Sequence, residues 1–364
     1  MKLFLAVLLC CLPFMLQAQP SAIACWSVSG EPFALAVGHN SLPHAPVVLP
    51  VPGNVAAIDL RGVGPVELDC SQANPNCLFY TDHSTSAAGL PAANVVCNGV
   101  CDGLLLTDAA CFYCPVAFTA ADAMLRLTPR RDDADALGDD PSALFDTPCH
   151  ETLMLPFDAD LVIPADANGQ TPANWLQAAV YEGSEDGTLL FRHTDAGLLR
   201  AATPYLLQFA YGAYGTQILF CGHDKRVEVT ATPLVGSVSL QFVGVTSEQA
   251  ERQSFFRYYR GQEQFFIHTG DGRPMEPFRC FMVGMRDDAN PETDISGSDE
   301  SAVPAASGNV MHYTVIEASA EAAGIGALRR SQASEHGYDL LGRRMAGGRP
   351  IKGISIVKGG KTID

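Results

Sequence analysis

The chain has 364 residues and a formal net charge of −17, and 47% of its residues are hydrophobic while only 17% are charged. This composition supplies enough apolar residues for a packed core and excludes a wholly disordered chain. The negative charge argues against nucleic acid as a partner, because phosphates require a basic protein face.

The first 18 residues have the pattern of a secretory signal peptide. Lys2 provides a positive start, the stretch 3–15 is apolar, and Ala18 is a small residue before Gln19. The apolar stretch is too short to span a bilayer, and no later segment has the length of a membrane helix. We expect cleavage between Ala18 and Gln19, and a mature chain that is secreted, periplasmic or on the outer cell surface and is not an integral membrane protein.

Residues 19–115 form a cysteine-rich region with short apolar runs. The runs end in polar residues or glycine and have irregular spacing, as in "AIDLRG" (57–62), "VELDC" (66–70) and "CLFYT" (77–81), followed by "VVCNG" (95–99) and "LLLTD" (104–108). They predict either the rungs of a short, irregular β-stack or the ordinary strands of a first sheet.

Ten cysteines remain after the signal peptide, and six of them lie between residues 70 and 114. An even number in an oxidising compartment favours disulfides over metal or redox sites, although the CxxxC and CxxC spacings leave zinc and redox chemistry open. The bulky Phe112 and Tyr113 stand where a zinc knuckle has a glycine turn. We predict disulfides without metal or cofactor, and the sequence leaves the pairing open. The candidates are Cys70, Cys77, Cys97, Cys101, Cys111 and Cys114.

Residues 116–286 show a hydrophobic period of two. In "TPYLLQFAY" (203–211) the odd-numbered residues from 205 to 211 are apolar or aromatic, and 227–231 and 238–242 alternate in the same way. "SFFRYYRGQEQFFIH" (254–268) predicts a hairpin around Gly261. We therefore expect a mainly β protein whose body is an antiparallel β-sandwich, similar to a jelly roll.

The C-terminal part has a different charge. An acidic linker is expected at 287–309, and a basic segment follows at 310–364. From residue 325 to the end there are eight Lys or Arg residues and three acidic ones. Two short apolar runs, "YDLLGRR" and "GISIVKGG", predict a small C-terminal β unit.

No catalytic motif is present, and we predict no catalytic residue. The sequence lacks HExxH, GxSxG, a Walker loop and GxGxxG. Asp158 and Asp160 resemble a glycosidase carboxylate pair but fit a solvated loop better. The acidic stretches 132–140 and 287–300 suit calcium or, more simply, solvated loops and linkers.

Several stretches, in the same order, resemble uncharacterised secreted or surface proteins of Bacteroidota, which often carry repeats. They include "DCSQANPNCLFY" (69–80), "LLLTDAACFYCPVAFTA" (104–120), "ETLMLPFDADL" (151–161) and "EPFRCFMVG" (276–284). The tail is similar to the YDLxGRR…KGIxI segment of type IX secretion sorting domains. The motif residues are Tyr338, Asp339, Leu340, Gly342, Arg343, Arg344, Gly353 and Ile354. The resemblance implies export, surface display and recognition of the tail by the export machinery.

Two classes of function follow. The first is a non-enzymatic secreted or surface protein for adhesion, glycan contact or envelope scaffolding, with a glycan or a host or envelope protein as partner. The alternative is a carbohydrate-active hydrolase or its accessory module, which requires two carboxylates facing each other across a groove lined by Trp26, Trp175 or tyrosines.

Overall fold

The computed structural model describes residues 22–37, 47–130, 149–164, 175–185, 188–194, 197–209, 217–231, 240–247, 255–260, 265–268, 275–283, 310–316, 337–338, 354–357 and 360–363. Strands account for the regular structure of these residues, and none of them is helical. The prediction of a mainly β protein is confirmed.

Six short strands in the first third of the chain form a β-stack. They are β3 Val47–Pro50, β4 Val55–Asp59, β5 Val66–Asp69, β6 Leu78–Thr81, β7 Ala87–Ala88 and β8 Val95–Cys97. Strands β3, β5 and β7 are parallel neighbours in one sheet, while β4, β6 and β8 are parallel neighbours in another. The chain passes alternately between the two sheets and adds one strand to each, as in a β-solenoid. Of the two interpretations of this region, the structure shows the β-stack.

The interior of the stack is apolar, and its repeat is irregular. Val55, Ile58 and Phe79 are among the buried side chains that the two sheets enclose. The offset between paired residues changes from 19 for Val47 and Val66 to 21 for Ala57 and Leu78, and to 16 for Phe79 and Val95. This variation explains why the sequence has no strict repeat.

A tight hairpin follows the last strand of the β-stack. Strand β9, Val100–Thr107, runs antiparallel to β8, and Asn98 and Gly99 form the two-residue turn. Both turn residues have positive φ, 50° and 81°, as a type I′ turn requires. The CxxxC spacing at 97–101 therefore reflects a β-hairpin.

A nine-stranded sheet continues from the β-stack into the rest of the molecule. Its other strands are β1 Ala22–Ser27, β2 Pro32–Ala36, β10 Phe118–Leu127, β12 Leu161–Pro164 and β16 Ile218–Val227. The order is β12-β16-β10-β9-β8-β6-β4-β1-β2, with β9 and β10 parallel and the β1–β2 hairpin antiparallel to β4. This sheet crosses residue 115, where the sequence analysis places the boundary between two regions.

Two five-stranded sheets complete the body. The middle sheet contains, in spatial order, β11 Cys149–Leu153, β15 Tyr205–Phe209, β13 Leu176–Glu185, β14 Thr188–Thr194 and β22 Tyr313–Ile316. The outer sheet contains, in spatial order, β17 Gln241–Gly244, β20 Cys280–Val283, β18 Phe255–Tyr259, β19 Phe265–His268 and β21 Val310–Met311. Strands β18 and β19 are antiparallel, so the predicted hairpin is confirmed.

The middle sheet carries buried apolar side chains on both faces. Tyr205, Leu207 and Phe209 pack toward the nine-stranded sheet, while Leu206 packs with the outer sheet. The predicted alternation of β15 is correct, but Leu206 on its second face packs against a third sheet and does not face water. This layering, with parallel pairs in both the nine-stranded and the middle sheet, departs from the two-sheet antiparallel sandwich that the sequence suggests.

Buried asparagines attach the β-stack to the segment that follows it. Asn76 donates its amide hydrogens to the carbonyls of Thr107 and Ala110, at 2.8 and 2.6 Å, and its Oδ1 accepts the Thr107 N–H at 2.9 Å. Asn94 donates to the Leu105 carbonyl at 3.0 Å and accepts the Leu105 N–H at 2.8 Å. These bonds satisfy backbone groups that ladder pairing leaves unmatched.

The last strands form a separate sheet. Strands β23 Gly337–Tyr338, β24 Ile354–Val357 and β25 Gly360–Ile363 pair in that order and are antiparallel. By contrast, residues 310–316 pair with β19 and β14 of the body. The body thus includes the start of the segment that the sequence analysis assigns to the C-terminal unit.

Candidate functional site

A small cavity lies where the outer sheet meets the edge of the middle sheet. Its volume is about 80 Å³, well below the several hundred Å³ of a site for a drug-sized ligand. Aromatic rings of β18 and β20 form part of the wall. The charged lining residues are Glu151, Arg257, Arg260, Glu276 and Arg279.

Two buried arginines share the carboxylates around this cavity. Arg279 Nη2 donates to Asp108 Oδ2 at 2.8 Å, and its Nε lies 3.6 Å from Glu151 Oε2. Arg260 Nη1 lies 3.5 Å from Glu151 Oε1, and its Nη2 donates to Glu276 Oε2 at 3.1 Å. Because Asp108 follows β9 and Glu151 is on β11, the two guanidinium groups connect all three layers.

The inner carboxylates are fixed, whereas Glu276 is at the surface. The side chains of Asp108 and Glu151 are 4% and 1% exposed, and each also accepts a backbone N–H, from Thr128 and Arg130 respectively. The Glu276 side chain is 51% exposed and comes from the turn before β20. Glu276 is therefore the member of this network that solvent reaches.

One buried donor of the network has no hydrogen-bond partner among the described residues. It is Nη1 of Arg279, whose residue is only 5% exposed. A buried N–H of a charged group is costly to leave unbonded. The cavity beside it has room for a water molecule or a small anion to supply the missing acceptor.

Sequence reasoning missed this site, although a signal for it exists. Glu151 and Arg279 are isolated charges at the start of the apolar stretches "ETLML" and "RCFMV". A charge beside a buried strand needs a partner, because an isolated ion in the interior is strongly unfavourable. The sequence does not reveal which distant residues are the partners.

Asp158 and Asp160, the carboxylates that resemble a glycosidase pair, are both in ion pairs. Asp158 Oδ2 lies 2.8 Å from Arg200 Nη1, and Asp160 Oδ2 lies 2.9 Å from Lys225 Nζ. Partial burial acts to raise the pKa of Asp158, but the Ala201 N–H and the Arg200 guanidinium outweigh it and lower the pKa. A glycosidase acid requires a raised pKa, so Asp158 is suited to holding its loop in place.

A histidine between two aspartates lies on β16, and the sequence analysis did not single it out. His223 Nδ1 is 2.9 Å from Oδ1 of Asp122, which is directly opposite on β10, and Nε2 is 3.0 Å from Asp224 Oδ2. Both ring nitrogens are thus occupied by contacts with neighbouring carboxylates.

The two closely spaced cysteine pairs have different surroundings. Cys101 is fully buried and Cys97 partly exposed, and the hairpin register places them on opposite faces of the sheet. They cannot bind one metal ion in this arrangement. Cys114 is buried with its Sγ 3.3 Å from the Val116 carbonyl, and Cys111 is partly exposed.

Three further cysteines lie in or against the apolar core of the β-stack. Cys25 and Cys77 are buried there, and Cys70 packs against the same cluster. Burial raises the pKa of Cys77, and the neighbouring thiols of Cys25 and Cys70 raise it further. The structure joins none of its nine described cysteine side chains in a disulfide, so the predicted bridges stay a prediction.

The tryptophans do not line the cavity. Trp175 is 6% exposed and packs against Phe209 with ring centroids 5.2 Å apart, and Trp26 packs on the same core. The aromatic side chains at the cavity are instead Phe255, Tyr258 and Phe281.

Several predicted features lie outside the described residues. These include Ala18, Gln19 and the acidic stretches 132–140 and 287–300. Of the sorting-like motif, Tyr338 lies in β23 and Ile354 in β24. The motif residues outside the described part are Asp339, Leu340, Gly342, Arg343, Arg344 and Gly353.

Comparisons of the chain with protein-family models, curated proteins and solved structures found no match. Within the part of the chain that the structure describes, no helix is long and apolar enough to cross a membrane. In the same part, no three His, Cys, Asp or Glu side chains are grouped closely enough to hold a metal ion.

Proposed function

We propose that this protein is an exported, non-enzymatic contact protein of the cell surface, which acts in adhesion, glycan contact or the envelope scaffold. The signal-peptide pattern and the sorting-like tail support export, with the C-terminal segment as the part that the export machinery recognises. The partner is a glycan or a host or envelope protein, and the location is the periplasm, the outer surface or the medium.

The observation that carries the proposal is that three described carboxylates are held by cations. Asp158 is bonded to Arg200 and Asp160 to Lys225, while Glu151 lies between two arginines. A carboxylate held by a cation fixes structure or contributes to binding, whereas a general acid must hold and release a proton. The geometry supports recognition better than proton transfer.

One observation favours the alternative, a carbohydrate-active hydrolase. Glu151 and Glu276 line the same cavity, and Tyr258 lies beside them. Two carboxylates on one cavity are the minimum that a glycosidase requires. Their shared guanidinium partners make this the weaker of the two functions.

A binding array and an activity panel separate the two functions. The purified protein is applied to glycans and extracellular-matrix proteins, and the same preparation is incubated with polysaccharide substrates. We expect retention on at least one surface ligand without release of reducing sugar. Sugar release that the Glu151→Gln variant abolishes would establish the hydrolase instead.

Export is tested on the protein recovered outside the cytoplasm. Its N-terminus should be at Gln19, and its intact mass without reducing agent should be lower than the all-thiol mass by about two units for each disulfide. An N-terminus at Met1 would contradict export, and an unchanged mass would contradict the predicted bridges.

A further inference from the structure

We propose that the cavity between Arg260 and Arg279 is a carboxylate-binding site, in which Glu276 occupies the ligand position until an external carboxylate displaces it. The inference supplies a site for the contact role proposed above. Its test uses small soluble acids, so its outcome is independent of the array.

The charges of the lining favour a carboxylate. Arg257, Arg260 and Arg279 line the cavity together with Glu151 and Glu276. When Glu276 leaves, Arg260 Nη2 loses its contact with this carboxylate beside the aromatic wall of the cavity. Guanidinium groups bind carboxylates through paired N–H donors, and they bind them best where water is partly excluded.

The position of Glu276 favours exchange. It contacts Arg260 Nη2 at 3.1 Å, but its distance to Arg279 Nε is 3.8 Å, longer than a hydrogen bond. Its side chain is 51% exposed, and half-exposed ion pairs of this kind are weak. A solute carboxylate can approach the same guanidinium group from the same side.

The unbonded donor favours a second acceptor. Arg279 Nη1 is buried without a hydrogen-bond partner among the described residues, and Arg279 lines the cavity. A carboxylate has two oxygens, so one can replace the Glu276 oxygen at Arg260 while the other accepts from Arg279. The cavity volume of about 80 Å³ suits a carboxylate group with few further atoms inside.

The test is rescue of a variant by small acids. In Glu276→Ala the internal carboxylate is removed, and sodium formate should replace it. At about ten times its dissociation constant, formate should raise the melting temperature of the variant by about 3 °C over the same concentration of sodium chloride. The original protein should respond less, because Glu276 competes. Glu276→Gln, which keeps the side-chain volume, is the second variant should Glu276→Ala not fold.

Glu182→Ala is the matched control. Glu182 forms a two-bond pair with Arg192, and both side chains are more than one-third exposed, but the pair does not line the cavity. Formate should raise the melting temperature of this variant no more than it raises that of the original protein. Glucuronate is tested in parallel, and a response to formate alone assigns a small monocarboxylate, whereas a response to both assigns a uronic acid. If neither acid stabilises either Glu276 variant, Glu276 has only a structural role and the proposal is wrong.

Discussion

Asn76 is fully buried, and its side-chain amide hydrogen-bonds the β-stack to the end of β9 and the segment after it. The Asn76→Ala substitution leaves the Thr107 N–H and the carbonyls of Thr107 and Ala110 without these bonds. We expect a loss of about 3 kcal/mol in the free energy of unfolding, since each orphaned buried group costs about 1 kcal/mol or more. Urea unfolding measures it. Asn54→Ala, the same change at an exposed position, is the control, and an equal effect of the two would contradict this role.

The buried thiols make the reduced protein sensitive to alkali. Burial raises the pKa of Cys101 to about 12 from an ordinary value of 9.0. Between pH 9 and 11 the unfolded chain therefore loses this proton while the folded protein keeps it, and stability falls as pH rises, by up to about 1.4 kcal/mol per pH unit. Below pH 9 the contribution is complete. Cys101→Ala should lose stability less steeply than the original protein when both are unfolded in urea, under reducing conditions, at pH 8 to 11. Parallel slopes would show that Cys101 does not cause the effect.

The β8–β9 hairpin depends on its turn, because Gly99 has a φ of 81°. A Cβ at Gly99 meets no atom within 4 Å, so Gly99→Ala introduces backbone strain without a clash. We expect a loss of about 1 kcal/mol in the free energy of unfolding. Gly103→Ala is the matched control: its Cβ also meets open space, but Gly103 lies within β9, where alanine is tolerated better than glycine. A smaller loss for Gly99→Ala than for Gly103→Ala would show that the positive φ is not what the turn requires.

The sequence predicted strands well where one residue pattern sufficed. Residues 205–209 alternate as expected, and the 254–268 segment contains the expected hairpin. The sequence predicted strands less well where pairing with neighbouring strands determines which residues form the strand. The alternating stretch 227–231 was expected to be a strand, yet β16 ends at Val227, because the long strand of that region is the preceding 218–227 stretch between β10 and β12. The Asn98–Gly99 pair is a strong hairpin signal that the sequence analysis did not use.

The candidate site could not be predicted, because its parts come from distant segments. Asp108, Glu151 and Arg279 lie far apart in the sequence, and each is an ordinary charged residue in its own segment. Only the layering of three sheets brings the end of β9, the edge strand β11 and the turn before β20 together. Local patterns determine strands, whereas the ion-pair network depends on the tertiary arrangement.

Two truncations test whether the tail is separate from the body. The chain that ends at Ala333 lacks β23, β24 and β25, which pair only with one another in the described sheets. We expect this protein to keep the melting temperature of the full chain and to lose surface display, since a three-stranded unit buries little of the body. The chain that ends at Asn309 also lacks β21 and β22, and with them Met311, which is 1% exposed, and Tyr313, whose hydroxyl lies 3.1 Å from that of Tyr258.

The protein that ends at Asn309 should therefore be much less stable than the full chain. Removing Tyr313 and Met311 opens the aromatic cluster between the middle and outer sheets, and the loss of each such side chain costs about 2–5 kcal/mol. Thermal unfolding of both truncated proteins, with surface labelling of cells that express them, gives the two readouts. If the Ala333 protein is as unstable as the Asn309 protein, the tail belongs to the folded body, and its role as a sorting element is wrong. If the Ala333 protein is stable and still displayed, the tail is dispensable for export, and the signal for surface attachment lies elsewhere in the chain.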